Sequence, residues 1–366
     1  MENKTIAVQT FWKSQFNYGQ LLQGYALQQF LINNGYDSYI IRFDSILSRL
    51  KELIILVLKG KIVSDFKQKR LRRFDVFRKS NIKYSKRNYG TYKSLKNHPP
   101  KADVYIVGSD QVWAYMRNPE RRKAYLLRFG EKNIKKIAYA ASFGRDALTD
   151  DSDDYLNALK DFAFLGIREE SGKDICMKLG FDSSWVTDPV TLLSSDDWRK
   201  LKVAIDLDKN NENVFFYTLT NVQQNSSYKD VLNLLQQQKS VYYTNSSEIL
   251  DGNCKHFPSP NEWLSYIDEC DYVITDSFHC TMFCILFNKP FVTLVRGDGT
   301  SMSNRLTSML RRLGLIDRYI SCSPQLVDMV LKQRIDWKSV NSKLEEWVVY
   351  SKKELLNALQ QSDFVS

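Results

Sequence analysis

The sequence has no G-x-G-x-x-G fingerprint, no C-x-x-C pair and no Cys/His group at metal-ligand spacing. The first absence argues against a dinucleotide cofactor, whose pyrophosphate needs those glycines for close backbone approach. The others remove the common zinc and dithiol motifs. No repeat of short period occurs, so solenoids and propellers are not expected. No signal peptide is expected, because Met1-Glu2-Asn3-Lys4 runs straight into a strand-like segment. The apolar stretch from Leu47 to Leu58 is too short to span a bilayer. The six cysteines are expected to be reduced core thiols, with Cys280 and Cys284 at helical i, i+4 among apolar neighbours. A cytoplasmic location is the matching expectation.

What is present reads as a globular protein. A chain of 366 residues has a length prior of about two to three domains. Its 43% hydrophobic and 26% charged content is ordinary for a packed fold. The formal charge of +10 asks for an acidic partner: nucleic acid, an anionic membrane face or an anionic substrate. The Lys and Arg residues are spread along the chain rather than gathered on a nucleic-acid module, which argues against the first.

Strand-like runs alternate with helical patterns. Thr5–Thr10 is followed by the apolar helical face of Leu21, Leu22, Tyr25, Ala26, Leu27, Phe30 and Leu31, and Asn34-Gly35 is the expected cap. Strands are expected at 38–41, 103–107, 136–141 and 164–168, the last three leading into small or polar residues as strands lining one cleft would. Asp206–Asn213 (DLDKNNEN) is the best linker, and Val214–Leu219 opens a second α/β set. Segment 46–79 differs in kind, with an apolar run followed by KQKRLRR at Lys67–Arg73. It suits either an anionic membrane face or a core helix with a solvated basic side.

The most informative stretch is Tyr272–Leu294, YVITDSFHCTMFCILFNKPFVTL. It reads strand, polar turn, helix, strand, the unit of a parallel sheet. Asp276, Ser277 and His279 fall at the strand's carboxyl end, where helix N-termini offer unpaired N–H groups to anions. Asp276 or Ser277 alone reads equally well as an N-cap, and His279 alone as a structural histidine. Their clustering at one strand–helix turn favours a site.

With NYGQLLQGYALQ, VGSDQVW, ASFG, REESGKDI followed by VTDPV, and TDSFHCTMFCILFNKPF followed by NRLTSMLRRLGL, the chain resembles the polysaccharide pyruvyl transferase family along nearly its full length. The resemblance implies a GT-B-like α/β fold of two Rossmann-like domains facing across a cleft. The expected boundaries are 1–195 on the acceptor side, 205–337 on the phosphoenolpyruvate side, and a helix at 338–366 packing back on the N-terminal half. It implies transfer of pyruvate from phosphoenolpyruvate onto a sugar, with galactose as candidate. The product would be a cyclic ketal on a lipid-linked or polymeric glycan of a capsule or exopolysaccharide. A nucleotide-sugar glycosyltransferase is the alternative on the same fold. No cofactor or metal is expected, and peripheral attachment to the inner membrane face is. Some members carry arginine two residues before the histidine, where this chain has Ser277.

Phosphoenolpyruvate carries a carboxylate and a phosphate, so its site needs fixed cations and backbone donors. Arg168, Arg296 and Arg305 with the Ser277 helix start are the candidates, and Asn17, Tyr18, Gly19, Ser109 and Ser142 are further expected substrate contacts. Protonating the methylene carbon and deprotonating a hydroxyl needs an acid–base group, suited to His279 with Asp110, Asp188 or Asp276.

Overall fold

The structure is a computed structural model describing residues 3–14, 16–44, 65–114, 118–148, 152–222, 225–246, 257–296 and 302–361. The apolar run Leu47–Leu58 lies outside the described residues.

Seven strands form the first sheet: β1 (Thr5–Gln9), β2 (Asp37–Phe43), β3 (Tyr84–Tyr89), β4 (Val104–Val107), β5 (Lys135–Ala141), β6 (Phe164–Ile167) and β7 (Ser184–Trp185). Their order is β3-β2-β1-β4-β5-β6-β7, with every pairing parallel. Five more form the second: β8 (Asn213–Thr218), β9 (Ser240–Asn245), β10 (Tyr272–Thr275), β11 (Phe291–Leu294) and β12 (Tyr319–Ile320), in the order β12-β11-β10-β8-β9 and again parallel. The first order is that of a Rossmann sheet extended by one strand, and the second is the flavodoxin-like order. Doubly wound sheets bind ligands where the winding reverses, outside the strands' carboxyl ends. Here those points lie between β1 and β4 and between β8 and β10.

The central strands read as continuous apolar runs, IAV in β1 and VYIV in β4, because helices cover both faces. The helix Tyr18–Asn33 is buried nearly all round, and its two interior glutamines are satisfied. Gln23 donates to Thr10 Oγ1 at 2.9 Å and accepts from Ser109 N at 3.1 Å, tying the end of β1 to the end of β4. Gln28 exchanges two hydrogen bonds with the backbone of Lys83 just before β3.

One apolar cluster runs through both sheets' inner faces. Tyr18 stands at its centre, stacked on Trp263 at 5.2 Å and in edge contact with Tyr217 at 5.6 Å, while its hydroxyl donates to Pro258 O at 2.7 Å. The helix Asp65–Asn81 joins in, where two arginines of the basic run face the second domain. Arg70 is buried, donates to Asn245 O and lies 4.5 Å from the Phe16 ring centroid. Arg73 donates to Phe257 O at 2.9 Å and to Glu262 at 2.8 Å. The long helix Trp337–Gln360 crosses back onto the first domain. Trp347 Nε1 donates to Trp185 O at 3.0 Å, Ser351 Oγ accepts from Thr187 N at 2.9 Å, and Glu354 accepts from Ser184 at 2.7 Å. No helix among the described residues is long and apolar enough to cross a membrane.

Candidate active site

Both winding reversals open into one cavity of about 450 Å³. The first domain contributes Phe11, Trp12 and Lys13 after β1 and Asp110 and Gln111 after β4. The second contributes Leu219 after β8 and Ser277, Phe278 and His279 after β10, while Arg305 comes from the helix Met302–Leu313.

Each polar group is aimed by local backbone. Gly108 has φ +126°, and a Cβ there would lie 2.0 Å from Tyr139 O, so only glycine permits this close turn after β4. The turn delivers Asp110 at φ +72°, a left-handed conformation that aspartate tolerates. Asp110 then accepts from Gln20 Nε2 at 2.9 Å and from Arg168 at 3.2 Å. Arg168 also donates to Asp188 at 3.1 Å, and Asp188 accepts from Ser109 Oγ at 3.1 Å and Val190 N at 3.1 Å. From the other domain His279 Nε2 comes within 3.4 Å of Asp188 Oδ2, at ion-pair distance but without hydrogen-bond geometry. Ser277 caps the helix Phe278–Leu286 by accepting from Cys280 N at 3.4 Å, and Asn17 caps Tyr18–Asn33 by accepting from Gln20 N at 3.1 Å. Two helix N-termini, one per domain, therefore meet at the cavity and carry positive potential into it.

The family model for polysaccharide pyruvyl transferase matches residues 17–298, which takes in these turns up to the strand after His279. The chain belongs to the polysaccharide pyruvyl transferase family. No curated protein sequence matches it. Among solved structures it is similar to the UDP-GlcNAc 2-epimerase from Neisseria meningitidis bound to UDP-GlcNAc, at 11% identity and TM-score 0.51, over 98% of this chain and 100% of that one. It is similar also to S. aureus MnaA in its UDP co-structure, at 11% identity and TM-score 0.54, over 100% of both chains. At such identity the likeness concerns the fold alone, which is GT-B-like.

The transferase brings Asn17, Asp110, Ser277, His279 and Arg305 to the cavity wall. Ser109, Arg168 and Asp188 stand directly behind, joined by the hydrogen bonds above. Gly19 packs against His279, and Tyr18 belongs to the aromatic core between the domains. Asp276, Arg296 and Ser142 do not line the cavity. The Asp276 carboxylate accepts from Leu219 N at 2.6 Å and from Thr220 N and Oγ1 at 3.0 and 2.6 Å, and Arg296 Nε lies 3.3 Å from it. It thus holds the loop that presents Leu219. Ser142 Oγ accepts from Gly144 N at 3.1 Å and shapes the turn after β5.

The charges are unevenly matched. Burial works against ionisation of Asp110, yet Arg168 and then His279 hold it below the usual carboxylate range. Asp188 is likewise held low against burial, by His279 first and Arg168 next. Arg168 is itself sealed at 1% exposure between these two carboxylates. Arg305 is different. Burial, and then the neighbouring Arg168, push its guanidinium down to about 10, which leaves it charged at neutral pH. It has no hydrogen-bond or ion-pair partner among the described residues, and its Nε is buried without one. Glu169, next to Arg168 in the chain, is buried beside this group and pushed upward by desolvation, with Oε1 accepting from Phe143 N at 2.8 Å.

Sequence reasoning missed Lys13, Gln20, Gln111 and Arg121 on the wall, and the aromatic side formed by Phe11, Trp12, Phe43 and Tyr125. Gln20 and Gln111 lie inside quoted motifs, each one residue beyond a candidate (Gly19 and Asp110), a signal that was available. Arg121 lies in a short run of charged residues, PERRKAY, that looks like any solvated helix. The five cysteines among the described residues are free, with Cys280 and Cys284 fully buried.

Proposed function

We propose that this protein moves the pyruvyl unit of phosphoenolpyruvate onto two hydroxyls of one sugar in a lipid-linked or polymeric glycan, galactose being the candidate, during capsular or exopolysaccharide synthesis. The observation that carries the donor assignment is Arg305, a buried charge on the cavity wall with no partner among the described residues. An isolated buried cation is costly unless an anion completes it. The adjacent helix start at Ser277 adds N–H donors, and a phosphate with a carboxylate nearby suits this pairing.

The chemistry then follows from His279 and its neighbours. The imidazole gives a proton to the methylene carbon of phosphoenolpyruvate, so that carbon becomes a methyl group and positive charge develops on C2. A sugar hydroxyl forms a C–O bond to C2 and loses its proton, and the C2–O bond to phosphate breaks with the electron pair leaving on phosphate. The second hydroxyl attacks the same carbon and closes the ketal, its proton leaving with the phosphate while the proton of the first hydroxyl restores the imidazole. The net products are the ketal and inorganic phosphate, with no oxidant or metal in the balance. Asp188 stabilises the charged imidazole from behind, and the ionised Asp110 orients a hydroxyl. The aromatic side offers flat apolar surface to the faces of a sugar ring.

The test is thermal unfolding with ligand. Phosphoenolpyruvate at ~100 times its Kd is expected to stabilise the protein by ~2.7 kcal/mol. Arg305→Met is expected to abolish that protection and raise the KM for phosphoenolpyruvate by about 10- to 100-fold. Its own stability should not fall, because the arginine has no partner to strand. Protection by a nucleotide sugar and none by phosphoenolpyruvate would overturn the proposal in favour of glycosyl transfer. Mass spectrometry of candidate glycans for the pyruvyl increment then identifies the acceptor.

Peripheral membrane attachment through residues 47–73 belongs to the same proposal. Arg70 and Arg73 are engaged within the protein, so Lys69 and Arg72, both exposed, would supply the described part of the charge. Flotation with anionic vesicles is expected to carry the protein upward, less so as salt rises. Equal behaviour with neutral and anionic vesicles would remove this part.

A further inference from the structure

We infer that Gly19 is a positioning residue: the bare Cα at the first turn of the helix Tyr18–Asn33 is the seat that holds the His279 ring toward Asp188 across the domain boundary. A Cβ built on Gly19 would stand 2.3 Å from His279 Cβ, 2.3 Å from Cγ and 2.4 Å from Nδ1. Three atoms of one side chain therefore occupy the space that any other residue would fill. The opposite side of the ring faces Asp188, with Nε2 at 3.4 Å, and Phe278 meets the ring edge-on at 5.4 Å. The imidazole is thus enclosed by a helix start on one side and a carboxylate on the other, both from the first domain, while its own backbone belongs to the second.

The seat itself does not yield easily. Asn17 caps the helix, and Tyr18 is locked by its stack on Trp263 and its bond to Pro258 O. Backbone on one side and a helix N-terminus on the other leave the His279 side chain, from its Cβ outward, as the part that moves when the seat is filled. Displacement by about 1 Å is enough to cost on the order of 100-fold in a positioned reaction. The glycine is not required by its own conformation, since it lies in a regular helical turn where alanine is otherwise favoured.

This inference rests on the reading of His279 as the proton-transfer group, and the experiment separates the two. In the full chain, Gly19→Ala is expected to lower kcat by about 100-fold with the KM for phosphoenolpyruvate changed less than about threefold, as for loss of an interaction made in the transition state. The ring signal of His279, one of three histidines and assigned by its absence in His279→Ala, is expected to move in the ligand-free protein. Gly24→Ala in the same helix is the control: its nearest contact would be Ile40 Cδ1 at 3.3 Å, away from the site, and kcat and the His279 signal should hold. A double-mutant cycle on Tm completes the test. Gly19→Ala should lower Tm in the parent chain and much less in a His279→Gly background. If Gly19→Ala does not fold alone, recovery of folded protein with His279→Gly supports the seat, and failure in both backgrounds overturns it. An unmoved ring signal with no coupling in Tm also overturns it. A moved signal and coupled Tm with normal turnover would leave the seat standing and instead sink the catalytic role of His279.

Discussion

Replacing His279 with alanine is expected to lower turnover by about 100- to 10,000-fold while the protein stays folded, as loss of a general acid–base group does. The imidazole lines the cavity, and the ionised Asp188 lies 3.4 Å from Nε2 to stabilise its charged form. The change removes a buried ring, so stability should fall by about 1–3 kcal/mol. Binding of phosphoenolpyruvate, carried by Arg305 and the Ser277 helix start, should be nearly unchanged. Steady-state kinetics, thermal protection by phosphoenolpyruvate and circular dichroism separate these effects. Near-normal turnover in a folded His279→Ala protein would make the residue structural. Asp110, the remaining titratable group of the expected set on the wall, would inherit the role.

Arg168→Met is expected to act on the fold rather than on one step. Its guanidinium bridges Asp110 and Asp188, and its removal leaves Asp110 without the cation that chiefly holds it low and Asp188 with His279 alone. Breaking a buried pair in this way typically costs about 3–5 kcal/mol. The sign with pH follows from the lowered values of both carboxylates. In the parent chain their stabilisation is complete above the ordinary carboxylate value of about 4 and is lost as pH falls through the lowered folded values. In the variant Asp110, having lost its chief cation in a buried site, resists ionisation, so stability falls as pH rises above about 4. Urea unfolding should therefore show a gap between the two proteins that is widest at neutral pH and narrows toward about pH 4. A gap independent of pH would mean that Arg168 serves by packing alone, for instance against the Phe278 ring 4.9 Å away. Arg305→Met should show neither effect, so two buried arginines of one site are expected to separate into a structural and a ligand-binding role.

Much of this was legible in the residues because local signals coincide with the chemistry. A β-branched run that stops at Thr275-Asp276-Ser277 before an apolar helix marks a strand end, and strand ends in parallel sheets line clefts. The same reasoning placed Asp110 and Arg168 near a cleft from the polar residues that follow DVYIV and FLGI. It also treated Asp276 as the equal of Asp188, since nothing local distinguishes a carboxylate that faces a cavity from one that holds a loop. The distinction came from partners distant in sequence: Leu219 and Thr220 occupy Asp276, whereas His279 meets Asp188 from the other domain. Lys13, Arg121 and the aromatic side escaped notice because each belongs to a segment with ordinary composition.

By itself, the sequence determined the parallel α/β class, the family, and the turns from which the site is drawn. Those properties depend on periodicity, caps and glycines, which act over a few residues. Tertiary structure decided which charges pair, which one is left unpaired, and that the seat for His279 is a glycine in the opposite domain. These depend on strand order and domain docking, and a long-range contact such as Gly19 with His279 leaves no trace in the local pattern of either segment.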